Sequence, residues 1–442
     1  MSVDTLDRHA AAVASGSARP GLSSIIGACI GNLIEWFDWT TYATFSLYFA
    51  KTFFPGGDRT AQLLNASGVF AVGFLMRPLG GWLFGHFADR HGRKAGLTIS
   101  VFLMCIGSLL IAGVPGYAQI GVGAPIILVV ARMLQGLSVG GEYGASATYL
   151  AEIAGPGRRG FISSFQYVTI ILGQLIALGV LMILQFMVLT PEQLEAWGWR
   201  IPFAIGAVGA LFAMYLRRRL AESGVFARET VAVRDRGNLS TLMVHKRAAL
   251  TVVGLTLGGT VAFYTYSAYA QRFLVNTSGL TREQASVTIA AALAVFAVIQ
   301  PMFGALSDRI GRRPLLIAFG IFGSLCTVPL MTSLSGTHDP LQAFVLVTAG
   351  LVICSGYTSI NATVKAELFP TEIRALGVAL PYALTVAIFG GTAEYLALWL
   401  KSIGQEPLYF WYVSGCIALS LIIYVTMRDT GKVALEKTAT SP

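Results

Sequence analysis

Gly85-His86-Phe87-Ala88-Asp89-Arg90-His91-Gly92-Arg93-Lys94 returns 219 residues later as Gly304-Ala305-Leu306-Ser307-Asp308-Arg309-Ile310-Gly311-Arg312-Arg313. Each copy follows one apolar run and precedes another. A second echo keeps nearly the same offset, 215 residues, between Ala151-Glu152 with Arg159 and Ala366-Glu367 with Arg374. Polar loops recurring at equivalent places between apolar runs mean an internal duplication. In each loop the Asp can accept from backbone N–H groups at a helix start, while its Arg neighbours pair with acids across a gap. Asp89, Arg90, Arg93, Asp308, Arg309 and Arg312 are therefore candidate gating residues. Charge anchoring of the loops alone would explain the basic residues, but not an Asp and two glycines at fixed spacing in both copies.

The runs around these loops decide the class. Of 442 residues, 55% are hydrophobic and 12% charged, about half the roughly 25% charged usual in soluble domains. Mean hydropathy is +0.67. Apolar runs of 20 residues or more recur throughout, each long enough for a hydrocarbon core of about 30 Å, and they lack the strict alternation of barrel strands. Twelve spans follow, at 22–50, 62–88, 95–115, 123–150, 160–188, 198–217, 248–274, 284–306, 314–334, 341–364, 374–400 and 407–427.

The sequence thus predicts an all-α membrane protein, with twelve transmembrane helices in two pseudo-symmetric six-helix bundles. Residues 1–21 read as an amino-terminal tail without the apolar core of a signal peptide, so the first span is expected to be retained. Residues 22–217 form the first bundle, 218–247 a linker within the polar stretch Arg217 to Arg247 that holds eight Lys/Arg, 248–427 the second bundle and 428–442 a tail. Placing both termini in the cytoplasm puts 23 of the 31 Lys/Arg on that side, the two after the tenth span, Lys365 and Arg374, included. The positive-inside rule selects this orientation.

The same reading excludes other classes. The net charge of +9 sits in short loops where topology needs it, so nucleic acid is not a partner. No GxxxxGK[ST] loop is present to bind a nucleotide. The five cysteines lie inside apolar runs with no CxxC spacing and no nearby histidine, so no metal site is expected. No nucleophile with a base stands within the spans, which argues against an intramembrane enzyme. No cofactor is expected. A sensor built on a transporter-like fold is a remote reading, for which the long output domain is missing.

Ionisable side chains inside a span are costly, so each is a functional candidate. Glu35, Asp38 and Tyr42 in the first span are spaced i, i+3, i+7 and share one helix face. Arg77 lies near the middle of the second span; Arg132 and Glu142 lie in the fourth. Glu142, near the inner end, is equally suited to a gate contact with the repeated loops or to a proton role. Gln166 and Gln174 lie two turns apart on one face of the fifth span, which suits a polar cavity. Shifting the acid and arginine positions of the first half by 215 to 219 residues meets no charge in spans seven, eight or ten. Tyr264, Tyr357 and Tyr382 are among the polar and aromatic groups of the second half, which reads as a hydrogen-bonding wall.

The repeated GxxxDRxGRK loop is similar to the signature of the major facilitator superfamily, and Arg132-Met133-Leu134-Gln135-Gly136 resembles that family's second motif, linked to proton coupling. Gly31-Asn32-Leu33-Ile34-Glu35-Trp36-Phe37-Asp38, Gln135-Gly136-Leu137-Ser138-Val139-Gly140-Gly141-Glu142-Tyr143-Gly144 and Trp197-Gly198-Trp199-Arg200-Ile201-Pro202-Phe203 resemble the metabolite:proton symporter family. Within it, Ser164-Phe165-Gln166-Tyr167 and Gly390-Gly391-Thr392-Ala393-Glu394-Tyr395 are most like the carriers of α-ketoglutarate. The resemblance implies a monomeric symporter of the bacterial inner membrane, importing a small dicarboxylate with protons by alternating access. The proton gradient is its energy source and the lipid bilayer its surroundings. It also implies proton coupling through Asp38, Glu35 and Arg132, with Asp38 paired to Arg132 and Arg77 left to meet an anion. Arg77, Arg132, Tyr42, Gln166, Gln174, Tyr264, Tyr357 and Tyr382 are the candidate substrate contacts. Citrate, shikimate, and proline or betaine are the rival substrates. Two arginines in one cavity favour a doubly charged anion over a zwitterion.

Overall fold

A glycine ends the second long helix and starts the third. Gly92 has φ 103° and Gly311, at the equivalent turn of the second half, φ 97°. This is a backbone region that side chains with a Cβ rarely enter, so the glycine of each repeated loop is required by the reversal itself. The computed structural model describes residues 22–56, 59–155, 157–218 and 237–431. The sequence-predicted tails, apart from residues 428–431, and most of the linker lie outside the described residues.

Among the described residues, twelve long helices follow in chain order. They are α1 (Leu22–Phe53), α2 (Arg59–His91), α3 (Arg93–Gly113), α4 (Gly123–Ile153), α5 (Arg159–Ile183) and α6 (Arg200–Arg218). Then come α7 (Lys246–Asn276), α8 (Arg282–Ile310), α9 (Arg312–Ser335), α10 (Pro340–Glu367), α11 (Thr371–Lys401) and α12 (Glu406–Thr426). Among the described residues, eleven of these, all but α1, contain segments long and apolar enough to cross a membrane. The 32-residue α1 packs against α5 and α6 as an equal member of its bundle.

Helices α1–α6 pack on one another, as do α7–α12, and the two sets meet chiefly along α2 with α11 and α5 with α8. The repeated loops and the starts of α5 and α11 gather at one end of the molecule, here termed the latch end. The linker's described part, with a short helix at Leu239–Val244, docks at this end: the Gly237 N–H donates to the Glu372 carbonyl at 2.8 Å and Arg90 to Asn238 at 3.0 Å.

Helices α7, α11 and α10 are irregular along their length. α7 widens into a π-helical turn at Tyr264–Tyr269 and α11 at Val386–Gly390, and a Cβ on Gly390 would stand 2.7 Å from the Tyr264 ring. Such wide turns are frequent at functional sites. α10 breaks at Ser359 and Ile360 and resumes at Asn361–Glu367. That last segment corrects the sequence reading: the tenth span does not stop at 364, and Lys365 is a buried helical residue, not a loop cation.

Candidate functional site

At the latch end, Asp89 accepts the backbone N–H groups of Ala375 at 3.0 Å and Leu376 at 2.9 Å, at the start of α11. These donors lack intrahelical partners, so the carboxylate serves as an anionic cap from the other half. Arg93 pairs with Asp89 and donates to the Thr371 carbonyl at 2.9 Å. Glu152 then joins Arg93 at 3.2 Å to Arg374 of the second half at 2.8 Å. The second copy mirrors this: Asp308 accepts from Gly160 and Phe161 N–H, both at 2.9 Å, and from Arg312 at 2.8 Å. Glu367 is the looser counterpart of Glu152, 3.6 Å from Arg312 and 3.8 Å from Arg159. Arg309 is exposed.

Glu152, Glu367 and Arg374 were legible as an echo in the sequence but were not assigned to the gate. Glu142 reaches neither loop. Its carboxylate pairs with buried Arg217 and accepts from Ser100, within the first half. The helix geometry explains why: ten residues on α4 separate Glu142 from Glu152, about 15 Å.

Further along the axis is a small cavity between the halves, lined by Asn32, Glu35, Trp36, Arg77, Tyr143 and Tyr382 among others. A close approach of α2 and α4 delivers Arg77 to it: a Cβ on Gly140 would lie 2.1 Å from the Arg77 carbonyl oxygen. Arg77 is 3% exposed. Its Nη1 donates to Tyr264 at 3.2 Å and its guanidinium lies 4.2 Å from the ring centres of Trp39 and Phe74. Nε and Nη2 are buried and have no hydrogen-bond partner. Glu35 accepts from Ser138. The cavity therefore presents a guanidinium with two idle donors beside a carboxyl group held by one hydroxyl.

Asp38 lies outside this cavity, inside the first bundle, accepting from Ser108 at 2.9 Å and from Gln135. Arg132 donates to the oxygen of the same Gln135 at 2.7 Å and stacks over Trp39 and Tyr42 at 4.2 and 4.4 Å. The expected Asp38–Arg132 ion pair is thus replaced by a bridge through Gln135. One amide supplies both an acceptor and donors, so it satisfies both charged groups at once.

The other candidates scatter. The Tyr42 hydroxyl is used by the Ala66 carbonyl at 3.0 Å. Gln166 ties α5 to α4 through Ser146 at 3.1 Å, and neither Gln166 nor Gln174 lines the cavity. Tyr264 reaches Arg77, Tyr382 lines the cavity, and Tyr357 stands behind it with Lys365 at 3.4 Å. The sequence reading missed Lys365 because the predicted span stopped at 364, one residue before it, while the helix runs on to Glu367.

The Major Facilitator Superfamily family model matches residues 28–391. The chain belongs to that superfamily. It is 51% identical over 418 residues to the alpha-ketoglutarate permease of Escherichia coli K12, covering 95% of this chain and 96% of that one. It is 35% identical to the citrate-proton symporter of Klebsiella pneumoniae, over 85% and 84% of the two chains. A solved proton:xylose symporter shares the fold at a TM-score of 0.74 and 21% identity, covering 94% of this chain and 98% of that one. Membership makes this major facilitator chain a multi-pass membrane transporter and not an enzyme, as its motifs implied.

Proposed function

We propose that the chain is a proton-coupled symporter importing α-ketoglutarate, or a closely similar small dicarboxylate, by alternating access. The observation that carries this reading is Arg77: a guanidinium in a cavity between the halves, without a carboxylate partner among the described residues, and with two donors idle. A planar guanidinium grips a carboxylate through two parallel bonds. The 51% identical α-ketoglutarate permease supports the substrate.

Coupling follows from electrostatics. An ionised Glu35 in the same cavity repels the incoming dianion, so binding a proton at Glu35 and binding substrate favour each other, and by linkage the effect is reciprocal. Asp38 and Arg132 carry a second charge change through Gln135. The proton gradient alone supplies the energy, with no cofactor. With the Lys/Arg-rich loops facing the cytoplasm, the latched conformation is closed inward, and the two Asp caps and the Glu152 bridge must break for release.

Uptake of labelled α-ketoglutarate into proteoliposomes, with an imposed pH difference and competition by citrate, shikimate and betaine, tests the reading. Accumulation that collapses with a protonophore and is blocked best by α-ketoglutarate is expected. Accumulation indifferent to the pH difference, or stronger block by citrate or betaine, overturns it.

A further inference from the structure

Lys365 is 0% exposed, yet among the described residues its ammonium meets uncharged groups and no carboxylate. Its donors reach Tyr143 Oη at 3.1 Å, Asn361 Oδ1 at 2.9 Å and Tyr357 Oη at 3.4 Å, and the Tyr382 ring centre lies 4.0 Å away. The other buried cations at this end of the molecule each hold a carboxylate: Arg93 and Arg374 share Glu152, Arg312 has Asp308, and Arg217 has Glu142. Phenols and an amide offset only part of the cost of burying an ammonium.

The repeat isolates this residue further. The 215-residue offset that sets Glu367 against Glu152 and Arg374 against Arg159 sets Lys365 against Leu150. Lys365 is therefore no part of the duplicated latch. It stands on the segment that resumes after the break in α10, and broken helices are where this class of architecture places its ligands.

Tyr143 and Tyr382 connect it to the cavity. Their rings stack with centres 3.6 Å apart and planes 11° apart. Both line the Arg77 cavity, and both touch Lys365. One tyrosine layer thus divides a guanidinium with idle donors from an ammonium without an anion. Tyr143 belongs to the first half and Tyr382 to the second, so the layer parts when the halves separate at the latch end.

We propose that Lys365 receives the second carboxylate of the substrate as this tyrosine pair parts, making it the residue that selects two-headed over one-headed anions. The proposal rests on the reading of the substrate as a dicarboxylate held at Arg77. One carboxylate on each half's cation would bridge the two bundles through the substrate itself. A monocarboxylate would leave Lys365 without an anion.

The test compares binding of α-ketoglutarate and of 2-oxopentanoate, which keeps the carbon chain and lacks the distal carboxylate, to the purified full chain in lipid nanodiscs. In Lys365→Met the preference for α-ketoglutarate falls by about tenfold or more, through weaker α-ketoglutarate binding and not tighter 2-oxopentanoate binding. Equal weakening of both ligands, or no change, overturns the proposal. Lys365→Arg, which keeps the charge, decides the matter if the Met variant does not fold: its preference stays within about threefold of the parent, and loss of that preference with 2-oxopentanoate binding intact overturns the proposal. An unsubstituted protein that binds neither ligand overturns the substrate reading instead, which separates the two failures.

Discussion

Arg132 and Asp38 do not touch: the side-chain amide of Gln135 stands between them, accepting from Arg132 at 2.7 Å and donating to Asp38. The arginine fixes which way the amide points, and the amide in turn presents its donor to the carboxylate. A change of charge at Asp38 is felt at Arg132 through this one side chain.

Replacing Gln135 by Leu therefore takes a hydrogen-bond partner from each of two buried groups, Arg132 and Asp38, of which Asp38 keeps Ser108, a loss of about 1–3 kcal/mol. The expected result is a lower melting temperature in detergent and a flattened dependence of uptake on pH. Unchanged melting together with an unchanged pH profile would remove Gln135 from the coupling path.

Arg77→Lys keeps the charge but replaces a planar fork by a point donor. Uptake is expected to fall about tenfold or more, chiefly as a raised half-saturation concentration, since one of two parallel charged hydrogen bonds is lost. Initial-rate measurements across substrate concentration check this; near-parental values would place the anion elsewhere.

Glu152→Gln leaves buried Arg93 and Arg374 without their shared carboxylate, a loss of the size of a broken buried pair, about 3–5 kcal/mol. Glu367→Gln costs less, because its arginines stand at 3.6 and 3.8 Å, against 3.2 and 2.8 Å at Glu152. With Leu376→Cys as reporter, buried under the closed latch, alkylation should quicken strongly in the first variant and weakly in the second. The reverse order would make the second copy the principal latch.

Gly140→Ala drives a methyl group into the Arg77 carbonyl, 2.1 Å from the ideal Cβ position. The neighbour is backbone, so α2 and α4 must move apart. A loss of at least about 1–3 kcal/mol is expected from overpacking, with binding at Arg77 impaired even where protein is recovered. Parental stability and affinity in this variant would contradict the close packing of these helices.

Stoichiometry follows from charge. A dicarboxylate dianion entering against an inside-negative voltage is opposed by about 2.3 kcal/mol per elementary charge per 100 mV. On the proposed coupling, two protons carried by Glu35 and Asp38 would make the cycle electroneutral. Uptake at fixed pH difference, with voltage clamped by potassium and valinomycin, should not respond to voltage. Slowing by an inside-negative voltage means one proton, and acceleration means three.

The amino-acid sequence by itself determined the features that are local along the chain. Apolar run length marked twelve spans, with edges within a few residues of the helix ends, and among the described residues eleven of those helices are long and apolar enough to cross a membrane. The duplicated loops were legible because an Asp that caps a helix, a glycine that must turn at positive φ and an Arg one helical turn away from the Asp all lie within ten residues. Arg77 stood out because a lone guanidinium in a span has no cheap explanation.

Only the tertiary structure decided which charges meet. Glu142 and Glu152 sit on one helix and look alike in sequence, yet the ten residues between them send one to Arg217 and the other to Arg93 and Arg374. Asp38 and Arg132 are both buried, but an amide from a third position occupies the space a direct pair would need. Lys365 looked like a loop cation until the resumed turn of α10 carried it inside. Partners in a helical bundle come from helices tens to hundreds of residues apart, and their pairing depends on the rotation and depth of each helix. Hydropathy responds to neither quantity.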